Sequence, residues 1–302
     1  MQEKKKKVVF LLSTGYAGSH FLSLLLGSHS RTMHLGELLV MKKPQPEAKH
    51  RECDFEQNNI LLSITPADVP RIYDLIYSRI DPKVEALIDA LKKLGWACRF
   101  LDNTTYERKY IHLIRDPRSL VRRWGLRSTP KKRRQLRWKL ARTFPALAAS
   151  IWLARENDLW MYRWLMQNQA ITRFIRENRL DANLVTYRDL AKDQANEIRR
   201  LMEWIGLPFE PEQLEYWNKN HIGTQKRNYE WVKEQKTTQH FDLRWKTELP
   251  ADAQARITGD RRVRNYLAGL KVAFTEEGLR RAGDAYSRAE DVRAASRTSQ
   301  TF

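Results

Sequence analysis

The sequence predicts an α/β fold in which a central, mainly parallel sheet is flanked by helices. Apolar runs of strand length alternate along the chain with amphipathic stretches of helical spacing, which is the pattern of α/β proteins. The first run, residues 8–12, is apolar throughout. A strand buried on both faces of a parallel sheet has this composition.

Composition limits the possible partners. The chain has 302 residues, a formal net charge of +19 and a pI near 10.0. This balance favours anionic partners such as nucleotides, nucleic acid, sulfated glycans or a membrane surface, without choosing among them. Cys53 and Cys98 are the two cysteines, so no disulfide framework is implied, although a bridge between them is possible.

Hydropathy predicts a cytoplasmic protein. No apolar run approaches the length of a membrane span. The N-terminal run at 8–12 is too short for the apolar region of a signal peptide.

The remaining elements of the first half follow from local patterns. Residues 32–35 predict a short strand that ends near Glu37, and the polar residues 42–70 predict an excursion or lid. Asp81 and Pro82 are typical of a helix start, and apolar residues at helical spacing extend that predicted helix to Gly95. Inner strands are predicted at 99–102 and 110–114.

The second half continues the alternation. Residues 145–176 predict one or two tryptophan-rich helices, and 184–187 a strand. Asp193 is expected to cap a helix that Gly206 ends. We expect a single domain over residues 1–280, followed by a polar tail at 281–302.

The turn after the first strand predicts a phosphate site. Small residues and two glycines separate the strand from an apolar helix, so backbone N–H groups and the helix N-terminus can converge on an anion. The residues expected to bind are Gly15, Tyr16, Ala17, Gly18, Ser19, His20 and Phe21. The turn lacks the lysine of a nucleotide-hydrolysing P-loop and the Rossmann glycine spacing. A plain turn with incidental glycines is the alternative.

A second anion-binding element is predicted around Arg115. The strand at 110–114 delivers Arg115 at its carboxyl end, where parallel sheets bind ligands. Asp116 and Pro117 predict a helix start beside it, and Arg123 follows two helical turns later. These arginines can bind a phosphate. Alternatively, Arg115 pairs with Asp116 or another acid.

Together the two elements resemble the sulfotransferase family, whose members use 3′-phosphoadenosine 5′-phosphosulfate (PAPS). The turn Ser13-Thr14-Gly15-Tyr16-Ala17-Gly18-Ser19 is similar to the family's first signature, and Ile114-Arg115-Asp116-Pro117-Arg118 matches its second. Weaker similarities are Val185-Thr186-Tyr187-Arg188-Asp189-Leu190, Trp204-Ile205-Gly206-Leu207-Pro208, His221-Ile222-Gly223 and Trp245-Lys246. The resemblance covers about residues 7–270 and is of the bacterial or Golgi carbohydrate type.

The resemblance implies a P-loop-like three-layer domain that binds PAPS and releases 3′-phosphoadenosine 5′-phosphate (PAP). The turn would bind the 5′-phosphosulfate, and Arg115 with Arg123 the 3′-phosphate. Two residues depart from the pattern. Tyr16 replaces a basic residue, which leaves less positive charge in the turn unless His20 or a distant lysine compensates. Arg123 replaces a serine.

The resemblance also suggests the catalytic residues. Glu37 is the first choice for the base that takes the acceptor proton, and His20 is the second; His34 and His221 are further candidates. The alternatives are a Glu37 that ends a strand in solvent or pairs with an arginine, and histidines that are structural. No metal is expected, because the protein itself supplies cations.

The stretch 115–142 is strongly basic, and Asp116 is its one acid. It predicts a solvated helix face, an anionic acceptor or contact with an acidic membrane or polymer. Trp124 and Trp138 could stack on sugar rings, but we expect them in the core.

These observations predict a PAPS-dependent sulfotransferase that acts on a hydroxyl of a carbohydrate, glycolipid or small molecule. The alternatives are a P-loop kinase, opposed by the missing lysine, and a nucleic-acid-binding protein, favoured by charge alone. We expect no nucleic-acid partner and allow for peripheral membrane contact through the basic stretch.

Overall fold

The computed structural model describes residues 5–38, 66–219, 221, 241–283 and 285–286. It confirms the predicted class, since a central parallel sheet is flanked by helices. The strands are β1 (Lys7–Ser13), β2 (Thr32–His34), β3 (Ala86–Asp89), β4 (Glu107–Ile114), β5 (Ala182–Thr186), β6 (Val272–Thr275) and β7 (Gly278–Arg281).

Helices fill the intervals between the strands. The α-helices are α1 (Ser19–Gly27), α2 (Ile72–Tyr77), α3 (Leu94–Ala97), α4 (Pro117–Gly125), α5 (Pro130–Thr143), α6 (Ala148–Leu153), α7 (Glu156–Glu177), α8 (Tyr187–Lys192), α9 (Gln194–Ile205), α10 (Trp245–Glu248), α11 (Ala251–Gly259) and α12 (Arg261–Ala268). Short 3₁₀ helices cover Pro66–Arg71, Cys98–Phe100, Pro145–Leu147 and Pro211–Asn218.

The main sheet has the strand order β2-β3-β1-β4-β5. β1 pairs in parallel with β3 on one side, where Phe10 lies opposite Asp89, and with β4 on the other, where Ser13 lies opposite Leu113. β2 pairs in parallel with β3. The carboxyl ends of β1, β2 and β3 therefore meet at one edge, as parallel pairing requires. β6 and β7 form a separate antiparallel pair.

The described chain divides into two compact units. The described residues of the first unit lie within 1–113 and 190–240, and those of the second lie within 114–189 and 241–302. The expectation of a single domain over residues 1–280 stays a prediction. Most of the predicted lid at 42–70 and of the polar tail at 281–302 lies outside the described residues.

An aromatic cluster forms much of the core of the first unit. Phe10 of β1 stacks on Tyr110 of β4, with ring centroids 5.2 Å apart, and meets the edge of Tyr73 at 5.6 Å. Phe100 packs against Tyr73 at 4.8 Å and against Trp96 at 5.3 Å. These large buried rings fix the position of β1 between its neighbours.

The helix predicted from Asp81 to Gly95 is wrong, because this segment forms β3. All four residues of β3 are buried. A short apolar run is compatible with both a helix and a buried strand. Here hydrogen bonding to strands on both sides outweighs the helical spacing.

The strand predicted at 99–102 is also wrong. Cys98–Phe100 is a 3₁₀ helix, and its one buried side chain, Phe100, packs into the aromatic cluster. The inner strand begins later, at Glu107.

The second unit has its own core. Helices α4, α5 and α7 pack together with α11 and α12 through buried side chains such as Val121, Leu140 and Trp164. Trp124 belongs to this core, as predicted. Trp138 does not: it is 53% exposed, because it lies on the face of α5 opposite the buried Leu136 and Leu140.

Several predicted helix ends are confirmed. The Asp116 side chain accepts a hydrogen bond from Arg118 N at 2.8 Å, and Pro117 occupies the first turn of α4. Asp193 caps α9, and Gly206, with φ of 84°, ends it.

Candidate functional site

The turn between β1 and α1 leaves a helix N-terminus uncapped. Gly18 occupies the N-cap position of α1 with φ of 104°, in the left-handed region, and has no side chain to cap the helix. The first intrahelical bond is donated by Leu22 N to Gly18 O at 3.1 Å. The N–H groups of residues 19–21 therefore precede the helical ladder and can donate to an anion.

Two hydroxyl groups beside this turn are buried without a protein partner. Within the described part of the chain, neither Ser13 Oγ nor Thr14 Oγ1 has a hydrogen-bond partner. Buried polar atoms are normally satisfied. Together with the uncapped helix start, these hydroxyls give the turn a donor set suited to phosphate or sulfate oxygens.

Tyr16 lies at the tip of the turn. It has φ of 70°, and 41% of its surface is exposed. Ala17 N donates to Thr14 O at 3.3 Å beneath it. The turn itself therefore carries no cation, as the sequence indicated.

Glu37 lies directly beside a lysine that the sequence analysis did not identify. The pairing of β2 and β3 continues past the strands, since Leu35 N donates to Ile88 O and Ala90 N to Gly36 O, each at 2.9 Å. This continuation aligns Glu37 with Lys92, and the Lys92 ammonium donates to the Glu37 carboxylate. Glu37 is thus paired, but with a lysine and not with the arginine that the alternative named.

His20 lies within electrostatic reach of this ion pair. Burial, together with the positive charge of Lys92, lowers the pKa of His20 to about 4, while the charge of Glu37 opposes this shift. Its Nε2 atom is buried and has no hydrogen-bond partner among the residues the structure describes. His20 is therefore neutral near pH 7, next to a carboxylate and an ammonium group.

Two more histidines extend behind His20. The ring of His34 lies 5.7 Å from that of His20 and 5.6 Å from that of His221, both in edge contacts. Burial holds the pKa of His34 well below its usual value and lowers that of His221 to about 4. His221 Nε2 lies 2.7 Å from Tyr216 O, so this nitrogen carries the proton and donates it. The rings of His34 and His221 thus pack behind His20, and a catalytic role for either stays a prediction.

A buried carboxyl group holds the loop that carries Lys92. Asp89 ends β3 and accepts hydrogen bonds from Tyr73 Oη at 2.6 Å, Trp96 Nε1 at 3.1 Å and Leu91 N at 2.9 Å. Burial raises the pKa of Asp89 to about 7. Asp89 therefore fixes the chain immediately before Lys92.

In the second unit, Arg115 is held by an aromatic ring and an acid. Its guanidinium lies 4.0 Å from the ring centre of Tyr187, and its Nη2 donates to Asp242 at 3.0 Å. Partial burial would raise the pKa of Asp242, but hydrogen bonds from Arg244 and the positive charge of Arg115 lower it to about 2. The alternative of Arg115 paired with an acid is thus realised, though with Asp242. A phosphate would have to compete with this carboxylate.

The other arginines of this motif have different surroundings. Arg118 is buried: it pairs with Asp116 at 2.7 Å, donates to Thr275 O at 2.9 Å and stacks 3.9 Å from the Trp245 ring. It therefore joins α4 to the neighbouring elements. Arg123 is half-buried in the last turn of α4, about 9 Å along the axis from the helix start.

Among the described residues, no group of three His, Cys, Asp or Glu side chains could hold a metal ion. No helix within the described ranges is both long and apolar enough to cross a bilayer.

Comparison with solved structures identifies the fold. The sulfotransferase domain from the curacin biosynthetic pathway superposes with a TM-score of 0.50 at 19% identity, over 85% of this chain and 97% of that one. For the sulfotransferase domain of the Synechococcus PCC 7002 olefin synthase, the TM-score is 0.48 and the identity is 17%, over 88% of this chain and 96% of that one. For a sulfotransferase from Alicyclobacillus acidocaldarius, the TM-score is 0.40 and the identity is 18%, over 68% of this chain and 87% of that one.

No protein-family model matches the chain, and no curated protein matches it. The likeness to the curacin domain establishes the fold alone: this chain has the fold of a sulfotransferase domain.

The buried histidines predict that acid destabilises the fold. Their folded-state pKa values lie below the usual 6.5, so the stability they confer is complete above about pH 6.5 and falls as the pH drops towards 4. Asp89 opposes this trend, since its raised pKa favours the folded state on acidification. We expect His34→Leu to make the slope of unfolding free energy against pH shallower by about 1.4 kcal/mol per pH unit.

Urea unfolding at a series of pH values measures this slope. Ile88→Val is a matched control, because Ile88 lies opposite His34 in the sheet and its substitution removes volume without removing a proton site. Equal slopes for His34→Leu and the unmutated chain would show that His34 is charged or solvated in the folded state.

Proposed function

We propose that this chain transfers a sulfuryl group from PAPS to a hydroxyl acceptor. The observation that carries the proposal is the turn of the first unit: an uncapped helix start, a left-handed Gly18 and two unsatisfied buried hydroxyls, in a chain with the fold of a sulfotransferase domain. This donor set fits the 5′-phosphosulfate. PAPS, when bound, supplies an activated sulfuryl group and leaves as PAP.

In this proposal the binding role belongs to the turn. The N–H groups at the start of α1, together with the Ser13 and Thr14 hydroxyls, donate to the 5′-phosphosulfate. These groups are fixed by the backbone and by burial, so their orientation requires little reorganisation when a ligand binds.

Glu37 is proposed as the base and Lys92 as the cation that the turn lacks. Their ion pair holds the carboxylate in one orientation. When Glu37 takes the proton of the substrate hydroxyl, its carboxyl group becomes neutral. The Lys92 ammonium is then no longer paired with a negative charge on Glu37. That ammonium becomes available to stabilise negative charge as the proton moves. Neutral His20 provides a further ring nitrogen for hydrogen bonding.

The acceptor follows from the resemblance and from charge. A hydroxyl of a carbohydrate, glycolipid or small molecule remains the proposed substrate, in a cytoplasmic setting. Arg115, with Arg123, is proposed to bind the 3′-phosphate, because a guanidinium already held by stacking loses little freedom on pairing with phosphate.

Nucleotide preference tests the assignment of Arg115. We expect PAP to bind more tightly than AMP, and Arg115→Ala to remove most of that preference, a loss of about 1.5–3 kcal/mol. Asp242→Asn should act oppositely and strengthen PAP binding, because it removes the carboxylate that competes for Arg115. Calorimetry with both nucleotides gives the values. Equal affinity of the unmutated chain for PAP and AMP would contradict the assignment.

Substitution of the two turn glycines tests the phosphate cradle. Gly18→Val should abolish nucleotide binding, because a side chain at φ of 104° distorts the helix start. Gly15→Ala is the milder change, since a Cβ there meets no protein atom within 4 Å, and it should weaken PAP binding less than Gly18→Val does. Circular dichroism verifies that both variants are folded. A folded Gly18→Val that binds normally would place the 5′-phosphate elsewhere.

Turnover by variants of the ion pair tests the catalytic roles. Glu37→Gln keeps the shape of the side chain but removes the base, so sulfate transfer from labelled PAPS should fall about a hundredfold or more while PAP affinity is nearly unchanged. Lys92→Met should also lower turnover, because it removes the cation. Full turnover by Glu37→Gln would make His20 the next candidate for the base, whereas loss of PAP affinity would assign Glu37 to the cofactor site.

A further inference from the structure

The second unit contains a long segment without acidic residues. Between Asp116 and Glu156 the chain has no Asp or Glu, and residues 126–155 contain nine Lys or Arg side chains. This segment includes α5 and α6. Its charge is far more one-sided than that of the chain as a whole, which carries 36 acids beside 55 bases.

Helix α5 divides into a buried and an exposed face. Leu136 and Leu140 face the core, whereas Trp138 points away from it. At about 100° per residue, Lys131, Arg134 and Arg142 lie within about 40° of Trp138 around the helix axis. The outer face of α5 is thus a line of cations with a tryptophan in its middle.

These outer cations have no acidic partner in the described part of the chain. All of them are exposed, and none forms an ion pair there: Lys131, Arg134, Lys139 and Arg142. By contrast, Arg133 and Arg137 turn inward, where they donate to Glu156 at 3.2 Å and to Ala154 O at 3.0 Å. The basic residues of α5 therefore divide into a structural set and an outer set.

Apolar side chains extend the same surface onto α6. Trp138 meets Trp152 edge to face, with ring centroids 5.1 Å apart, and Trp152 is 41% exposed. The next residue, Leu153, is 87% exposed. Residues 144–154 contain no charged side chain. An exposed cluster of large apolar groups beside unpaired cations is typical of a contact surface.

We propose that the outer faces of α5 and α6 bind the surface of a bilayer that contains anionic phospholipid. Lipid headgroups neutralise the outer cations, while Trp138, Trp152 and Leu153 enter the boundary between headgroups and acyl chains, which tryptophan favours. A solvated helix face needs neither tryptophan nor leucine. A nucleic acid would stack on the tryptophans but offers no apolar medium for Leu153.

Sedimentation with vesicles tests this proposal on the full chain. We expect binding to phosphatidylcholine vesicles that contain about one third phosphatidylserine, no binding to pure phosphatidylcholine, and weakening by salt. Arg134→Gln with Arg142→Gln should lower the partition coefficient about 30-fold. Leu153→Asp should lower it further, because it adds a repelling charge at a fully accessible apolar position.

A charge-matched control separates a specific surface from net charge. Arg261→Gln with Arg264→Gln removes the same charge from exposed positions of α12 and should leave vesicle binding nearly unchanged. The proposal is overturned if both double variants reduce binding equally, if anionic vesicles are not bound, or if Leu153→Asp binds them normally. It is also overturned if single-stranded RNA, rather than vesicles, is the ligand lost in the α5 double variant. None of these measurements depends on the proposed transferase activity.

Discussion

The parallel pairing of β2, β3 and β1 is the constraint on which the first unit depends. It places the carboxyl ends of the three strands at one edge of the sheet, so that the turn, Glu37 and Lys92 all emerge there. A shift of one residue in β3 would turn Asp89 out of its buried site and separate Lys92 from Glu37. The aromatic cluster around Phe10 opposes such a shift, because its large rings fill a fixed space.

Both units hold their key cations in ion pairs. Lys92 pairs with Glu37, and Arg115 pairs with Asp242. The pairs fix side chains that would otherwise move freely, and so reduce the entropy lost when a ligand binds. They would also oppose the binding of an anionic ligand, because the ligand would have to interact with the cation more favourably than the paired carboxylate does. In the proposed function, this competition favours ligand groups with high charge density.

The sequence predicted those elements whose local signals agree with their surroundings. Residues 8–12 of β1 are all apolar, and Asp116 and Asp193 are strong helix caps, so these assignments are confirmed. The prediction for the segment around β3 was wrong because its apolar residues fit helical spacing: Val84, Leu87, Ile88 and Leu91. Pairing with β1 and β2, which are distant in sequence, made the segment a strand. That error concealed Lys92, which a strand assignment would have placed at the carboxyl edge beside Glu37. Asp242 as the partner of Arg115 could not be foreseen, since 127 positions separate them in sequence.

The central claim is that the turn after β1 binds the sulfated nucleotide although it has no lysine. Calorimetry that compares PAP with ATP and magnesium measures this most directly, because a P-loop kinase and a sulfotransferase differ in which of the two they accept. We predict measurable binding of PAP, abolished in Gly18→Val, and no binding of ATP. Tight binding of ATP with magnesium, or failure to bind PAP, would contradict it.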